Sequence, residues 1–522
     1  PSGKVDRRAL PEPHQERPAL GQDYLQPRTE IEKKLAELWS EVLEFKKIGV
    51  KDNFFEFGGD SLRAVQLVHM VCETFKIELP IVTLFDAPTI EALGHQIQKM
   101  VNSGKTVTSD DISPAELESQ AIPHIVGALT TQPLEFPDQL KKILITGVTG
   151  FLGAFLLGEL LKQTSADIYC LVRATSDEVG KQKIEHNLKK YGLWQVENCD
   201  RIKPILGDLS KKRLGVSDDT FETLSREIQA IYHSGASISL IHPYSTLYEA
   251  NVKGTEELLR IAAKYRLKPF HFISTLDVFQ ASGSFSSEPI TESSPLKAAD
   301  AVKFDGYTKS KWVSEKMVWT AGKLGLPISV YRPAMISGDS QTGICNTGDL
   351  MNRLIKGFIQ LGAAPESEMV INIAPVDFFS KGLVYLSLQR ESLGKGFNFI
   401  NPHPVSMQDF VAAINACGYD IQQVIPQQWQ SLLTQNIRKV DGIVSVLTSK
   451  EDVSKPSYIE RSSVNAKRVS CENVLNGLQN SGIYCPNIDA QFLKPYLDYY
   501  VRTAFLSTPG LVSNQPQPLK AG

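Results

Sequence analysis

Residues 143–146 form a short β-branched run, and residues 151–162 an apolar helical one. Between them the chain reads Thr146-Gly147-Val148-Thr149-Gly150-Phe151-Leu152-Gly153. No other segment restricts the fold as much. Glycines at this spacing, leaving a strand and opening a helix, serve three needs: a tight turn, a close backbone approach to a pyrophosphate, and helix–strand packing. The anion then rests on the helix N-terminus. The rhythm around the loop extends the inference. Further strands are expected at residues 168–172, 202–206, 230–233, 270–273 and 328–331, with helical runs that include 244–265 and 307–321. Such alternation predicts an α/β fold with a doubly wound parallel sheet. After about Gly338 the rhythm gives way to longer loops and scattered helices, as a smaller, mainly helical C-terminal subdomain at residues 339–506 would require.

The first hundred residues follow a different pattern. Residues 1–22 are rich in Pro and charge and read as linker. Residues 23–100 read as a small all-α bundle of four helices. Ile31, Leu35, Leu38, Trp39 and Val42 recur at helical spacing, as do Leu62, Val65, Leu67, Val68 and Val71, and a further helix follows Pro88. Residues 101–137 are polar and read as an inter-domain linker with a short helix, and residues 507–522 as a disordered tail. The net charge of -3 implies neither a nucleic-acid nor an anionic-membrane partner. The most apolar helical stretch, residues 151–161, is too short to span a bilayer and carries Glu159. Seven scattered cysteines without a CxxC pair point to reduced thiols in a cytoplasmic setting and to no metal site. No signal peptide is visible, and a chain beginning at Pro1 without Met reads as part of something longer.

Three further positions bear on chemistry. NAD readers place an acid at the end of the second strand, whereas this chain has Val172-Arg173-Ala174. Arg173 would suit a 2′-phosphate and so favours NADPH. Gly207-Asp208-Leu209 closes the third strand, where Asp208 is either a cofactor-side residue or a plain turn residue. In Tyr307-Thr308-Lys309-Ser310-Lys311, Tyr307 and Lys311 share a helix face. A lysine ammonium there would lower the tyrosine pKa and ready it as a proton donor.

Asp52-Asn53-Phe54-Phe55-Glu56-Phe57-Gly58-Gly59-Asp60-Ser61-Leu62 resembles the modification site of the peptidyl carrier domains of non-ribosomal peptide synthetases. The resemblance makes Ser61 the attachment point of 4′-phosphopantetheine. Pro1-Ser2-Gly3-Lys4-Val5-Asp6-Arg7 resembles the closing motif of adenylation domains, whose lysine position is Lys4; with no adenylation domain alongside, Lys4 is expected to be idle. From residue 141 to 506 the chain resembles the terminal thioester reductases of the same synthetases, within the extended short-chain dehydrogenase/reductases. The likeness is carried by His233-Ser234-Gly235-Ala236, Pro243-Tyr244, Asn251 to Thr255, Gly306-Tyr307 to Lys316, Tyr331-Arg332-Pro333 and Pro375-Val376-Asp377. Carboxylic acid reductases share the pattern. Many relatives have Asn where this chain has Ser234 and Ser239. His233 is read as the end of a buried strand, and His242 as a loop residue.

The resemblance implies a Rossmann-type NADPH-binding domain at residues 138–338. Its catalytic set would be Thr275 (chosen over the adjacent Ser274), Tyr307 and Lys311. Its cofactor contacts would come from Gly147, Thr149, Gly150, Phe151, Leu152, Gly153, Arg173, Asp208, Leu209, Ser234, Gly235, Ala236, Asn251, Tyr307, Lys311 and Arg332. The implied function is reductive release of a peptidyl or aminoacyl thioester from the arm on Ser61, as an aldehyde or, after a second round, a primary alcohol. Implied partners are upstream adenylation and condensation domains, a phosphopantetheinyl transferase and the tethered substrate, with the chain a monomer. Two rivals are non-reductive, Dieckmann-type release and a non-catalytic NADPH-binding module that docks a carrier. The presence of Tyr307 and Lys311 weighs against the first, and intact Ser61, Thr275, Tyr307 and Lys311 weigh against the second.

Overall fold

The structure, a computed structural model, describes residues 24–507 apart from 44, 46, 58, 60, 76, 78, 80–82, 85–86, 104–111, 126–139, 239–241, 284–288, 303 and 437–468. Lys4, Ser239 and nearly all of the expected tail lie outside the described residues. The chain divides into two compact units, Pro1–Asp111 and Ile112–Gly522.

In the first unit, helices Glu30–Leu43, Ser61–Phe75 and Ile90–Ser103 are described. The first opens with a reciprocal capping pair. Thr29 Oγ1 accepts from the Glu32 N–H at 3.1 Å, and Glu32 Oε2 accepts from the Thr29 N–H at 3.0 Å. Leu35, Trp39, Leu67, Val71, Leu93 and Ile97 are fully buried and supply the core. The stretch between Phe75 and Ile90, where a fourth helix would have to lie, is only partly described.

The second unit is built on a seven-stranded sheet: β1 (Lys142–Thr146), β2 (Asp167–Val172), β3 (Ile202–Leu206), β4 (Ala230–His233), β5 (Phe270–Ile273), β6 (Ile328–Pro333) and β7 (Lys395–Phe399). All pairings are parallel, in the order β7-β6-β5-β4-β1-β2-β3. Helices Phe151–Gln163, Asp177–Lys190 and Val376–Ser387 cover one face, and Asp218–Glu227, Gly254–Ala263 and Gly306–Lys323 the other. The winding order reverses between β1 and β4, so a crevice opens at their carboxyl ends, where such folds bind ligands. A third core, with Phe358, Phe410, Trp429, Leu493 and Tyr500, gathers helices Leu350–Leu361, Met407–Ala416, Pro426–Gln435 and Ala490–Arg502 into the subdomain.

The structure departs from the sequence reading in three places. The seventh strand and the Val376–Ser387 helix come from residues beyond 338, so the chain leaves the sheet after β6 and later rejoins it. The ring of Phe397 on β7 stacks on Tyr331 of β6 at 5.2 Å, and Phe399 is fully buried. Within the expected linker, residues 112–125 belong to the second unit. They form a Ser113-capped helix, Pro114–Gln120, whose Leu117 and Ala121 enter the same core as Trp312. The run read as one helix over 244–265 is broken by a π turn at Glu249–Lys253, between Tyr244–Tyr248 and Gly254–Ala263. Among the described residues no helix is long and apolar enough to cross a membrane, and no three His, Cys, Asp or Glu side chains gather as metal ligands would.

Candidate functional site

In the first unit, Phe54 is fully buried and meets Trp39 edge-on at 5.1 Å. The Gly59 N–H returns to the Phe54 carbonyl at 2.9 Å. A Cβ on Gly59 would lie 2.4 Å from the Phe54 ring, so only glycine passes here. This tight closure leads the chain to Ser61, the first residue of its helix, where first-turn N–H groups favour a phosphodiester.

In the second unit, β1 ends at Thr146 and the backbone turns at Gly147, which has φ +84. The turn is crowded. A Cβ on Gly147 would lie 2.8 Å from the Gly235 nitrogen, and one on Gly153 would lie 2.0 Å from the Gly147 carbonyl oxygen. Asn187 Nδ2 donates to the Val148 and Gly150 carbonyls at 2.9 and 3.0 Å and clamps the loop. Thr149 and Gly150 are exposed above it. Phe151 turns its ring toward Phe155 and Tyr191, at 5.3 and 5.0 Å, so only its backbone is free to face a ligand. The side-chain-free crowding and the open helix N-terminus fit a dinucleotide pyrophosphate.

Arg173 is exposed at the end of β2. Burial opposes ionisation of neighbouring Asp208. The Ser210 N–H and hydroxyl, both at 2.9 Å, with Arg173 and Lys211 nearby, nonetheless hold its carboxyl below the usual range. Asp208 thus closes its own turn beside an available guanidinium. Leu209 is wedged against Gly235 and Gly254, where any Cβ would meet it within 3.0 Å.

A buried chain of hydrogen bonds, not foreseen from the sequence, runs behind the loop. The Gly235 N–H donates to Thr146 Oγ1 at 2.9 Å, and that hydroxyl lies 2.8 Å from His233 Nδ1. His233 Nε2 lies 3.0 Å from Thr255 Oγ1, which donates to the Asn251 carbonyl. With Thr255 committed as a donor, His233 must carry its proton on Nε2 and accept at Nδ1. Burial, with Lys311 nearby, pushes its imidazole well below the ordinary range, so it stays neutral. The Asn251 side chain, on the π turn, accepts from the Ser237 N–H at 2.7 Å. It donates to the Ser237 carbonyl at 3.0 Å and to Ser310 Oγ at 2.8 Å. Ser234, Gly235 and Ala236 are thereby held between the glycine loop and the Gly306–Lys323 helix. Asn251 acts as a brace.

That helix is capped by Asp305, whose Oδ1 accepts from the Thr308 N–H at 2.9 Å. Its start is pressed against the 242–244 backbone: a Cβ on Gly306 would lie 2.3 Å from the His242 carbonyl oxygen. Tyr307 and Lys311 sit one turn apart. Lys311 is 4% exposed, donates to the Ile273 carbonyl at 2.7 Å and lies 4.2 Å from the centre of the Phe272 ring. This bond ties the helix to the end of β5, and two residues later comes Thr275, partly exposed, accepting from the Asp277 N–H at 3.2 Å. Ser274 is 4% exposed, and its Oγ has no partner.

The electrostatics differ from the sequence expectation. Although part of Tyr307 is accessible, desolvation first, then the Asp277 and Asp305 carboxylates, push its phenol above the ordinary range. Lys311 is pushed down to about 7 by burial, with Glu315 opposing. The tyrosine is held protonated, the state from which it donates. Arg332 does not reach the crevice. It is 1% exposed and spends its guanidinium on Glu315, the Glu292 carbonyl and Asn398.

Both units have relatives among known proteins. A family profile described as "Phosphopantetheine attachment site" matches residues 33–97, and one described as "Male sterility protein" matches residues 145–383. A linear gramicidin synthase polypeptide of Brevibacillus parabrevis is 38% identical over 97% of this chain, which spans 10% of that protein. A glycine betaine reductase of Emericella nidulans is 31% identical over 100% of the chain, which spans 41% of it. The chain thus covers less than half of these curated relatives. The crystal structure of the terminal R domain from the myxalamid PKS-NRPS pathway superposes with TM-score 0.69 at 36% identity, covering 76% of this chain and 99% of that one. A thiolation-reductase di-domain from an archaeal non-ribosomal peptide synthetase, 23% identical, shares the fold over 93% of this chain and all of its own, at TM-score 0.67.

Proposed function

Since this chain belongs to the carrier-linked terminal reductases of non-ribosomal peptide synthetases, we propose that it releases a peptidyl or aminoacyl group reductively from a thioester on Ser61. The observation that best supports this reading is the 2.7 Å bond from Lys311 Nζ to the Ile273 carbonyl, which ties the helix of Tyr307 to the end of β5, two residues before Thr275.

The residues present fit NADPH. The backbone of Gly147 to Gly153 would hold the pyrophosphate, Arg173 a 2′-phosphate, and Lys311 the nicotinamide ribose. Bound there, the cofactor supplies hydride. The protein's own part is electrostatic and positional. Thr275 and Tyr307 donate to the oxyanion that develops on the acyl carbonyl, and Tyr307 passes its proton there. A phenol raised by burial is matched to an oxyanion of alkoxide basicity and remains a donor at neutral pH. Lys311 would orient the ribose and, below about pH 7, would hold positive charge one turn from the tyrosine. Tethering on Ser61 raises the effective concentration of the acyl group, so its own affinity for the site needs little strength. The upstream synthetase domains, a phosphopantetheinyl transferase and the cytoplasmic setting belong to the same proposal, as does the monomer.

The test is to phosphopantetheinylate the protein, load Ser61 with a simple aminoacyl group, add NADPH, and follow cofactor oxidation together with product mass. Aldehyde or alcohol in step with NADPH consumption supports the reading. Release without NADPH consumption would establish the cyclising alternative. No turnover across a range of acyl groups would leave a binding module.

A further inference from the structure

The helix that carries Tyr307 and Lys311 carries Glu315 one turn further on, fully buried. Its Oε1 accepts three bonds: from Arg332 Nε at 2.9 Å, Arg332 Nη2 at 2.6 Å and Trp319 Nε1 at 3.0 Å. Its Oε2 is buried and accepts none. Arg332 itself is anchored from β6 onto the Glu292 carbonyl and Asn398, and lies over the Phe279 ring at 4.9 Å. A buried ion pair with three donors on one oxygen and none on the other is a poor device for stability, since desolvating both charges costs as much as their attraction returns. It is a good device for fixing a charge at a stated place. That place is one helical turn from a buried lysine.

We propose that Glu315 and Arg332 form a buried electrostatic couple that sets the charge of Lys311, with Glu315 the positioning residue and Arg332 the counter-charge that holds it. The proposal rests on the catalytic reading of Lys311. Glu315 favours the ammonium, and Arg332 is the counter-charge that lets Glu315 stay a carboxylate in the interior.

The other groups around the lysine do not substitute for this pair. On its own helix, Tyr307 stays protonated. From β4, His233 stays neutral. From β5, Phe272 offers its ring, while His271 points to the opposite face, toward Tyr331 at 3.3 Å. After β5 and before the helix, Asp277 and Asp305 act on Tyr307. Glu315 is the carboxylate that acts on Lys311 itself.

The experiment uses the full chain. The pH dependence of NADPH affinity is measured by cofactor fluorescence, and the pH profile of kcat/KM alongside it, with thermal unfolding to check folding. Glu315→Gln should move the alkaline limb of both profiles to lower pH by about one pH unit, and Arg332→Gln, which leaves the buried Glu315 without its counter-charge and so driven to the neutral acid, should move it the same way. Arg332→Lys, which keeps the charge, should leave the limb in place. Limbs that stay put, or that move to higher pH in either Gln variant, overturn the proposal. If Arg332→Gln does not fold, an unmoved limb in Glu315→Gln suffices to overturn it. Lys311→Met separates this inference from the reading beneath it. A Lys311→Met protein that keeps activity and NADPH affinity refutes the catalytic reading. An inactive one alongside unmoved limbs refutes only the couple.

Discussion

Lys311 should be a residue that the fold would be more stable without. It is buried, its charged form has one hydrogen bond from Nζ to a carbonyl, and it moves from an ordinary 10.5 to about 7. A displacement of that size corresponds to a cost of about 5 kcal/mol for keeping the ammonium inside. Replacing Lys311 by Met removes that cost and fills similar volume, while losing a hydrogen bond and a ring contact worth about 1 kcal/mol each. At pH 6 the variant should therefore gain about 2–3 kcal/mol over the native chain. The sign with pH follows from the direction of the shift. The folded state holds the proton less tightly than the unfolded state, so the native chain bears the full cost below pH 7. It recovers stability as pH rises from 7 toward 10.5. Between pH 6 and pH 9 the cost itself falls by about half, so the advantage of Lys311→Met should shrink to about zero. Denaturant unfolding of the full chain, read from the transition of the larger unit, measures this. A variant less stable than the native chain at pH 6, or an advantage that grows with pH, would refute the reasoning. The same variant should be inactive, so stability and catalysis part company at this residue.

Four further outcomes are expected. Tyr307→Phe should lower kcat by about 10²- to 10⁴-fold in the loaded-carrier assay, while NADPH fluorescence titration returns a nearly unchanged Kd. Gly153→Ala puts a methyl 2.0 Å from the Gly147 carbonyl oxygen; NADPH binding should weaken by about tenfold or more, as titration would show. Arg173→Ala should weaken NADPH by about ten- to a hundredfold, the worth of a charge-assisted bond, and leave NADH unchanged when the two are titrated side by side. The native kcat/KM should fall as pH rises through about 7, because Lys311 loses its proton there; a profile flat to pH 9 would contradict this.

The alternation of short β-branched runs with long helical runs was enough to place six of the seven strands. Three of these, 202–206, 230–233 and 270–273, have the bounds inferred from sequence. The seventh, Lys395–Phe399, escaped because it follows an excursion of about sixty residues and reads as an isolated aromatic run. Its place depends on Phe397 meeting Tyr331, a contact between residues far apart in sequence. The glycine loop, Tyr307, Lys311 and Ser61 were legible because their spacing is local. The brace through Thr146, His233, Thr255 and Asn251 was not, since it joins four elements and involves residue types that end strands and helices everywhere. Arg332 shows the opposite error. A motif suggested a cofactor contact, and only the burial of its partner Glu315 reveals an internal ion pair. The Tyr307 pKa went the same way: one turn of helix predicts a lysine beside a tyrosine, but not the desolvation and two carboxylates that outweigh it.

The most direct measurement of the central claim is the fate of the hydride. The carrier is loaded at Ser61 with an aminoacyl thioester and given NADPH bearing deuterium at the transferring position of the nicotinamide C4, in a single turnover. The account predicts a released aldehyde with one deuterium on its carbonyl carbon, a carrier lighter by the acyl group, and the same label appearing about 10²- to 10⁴-fold more slowly in Tyr307→Phe. A released product without deuterium, or an acyl group that stays on Ser61 while cofactor is consumed, would contradict it.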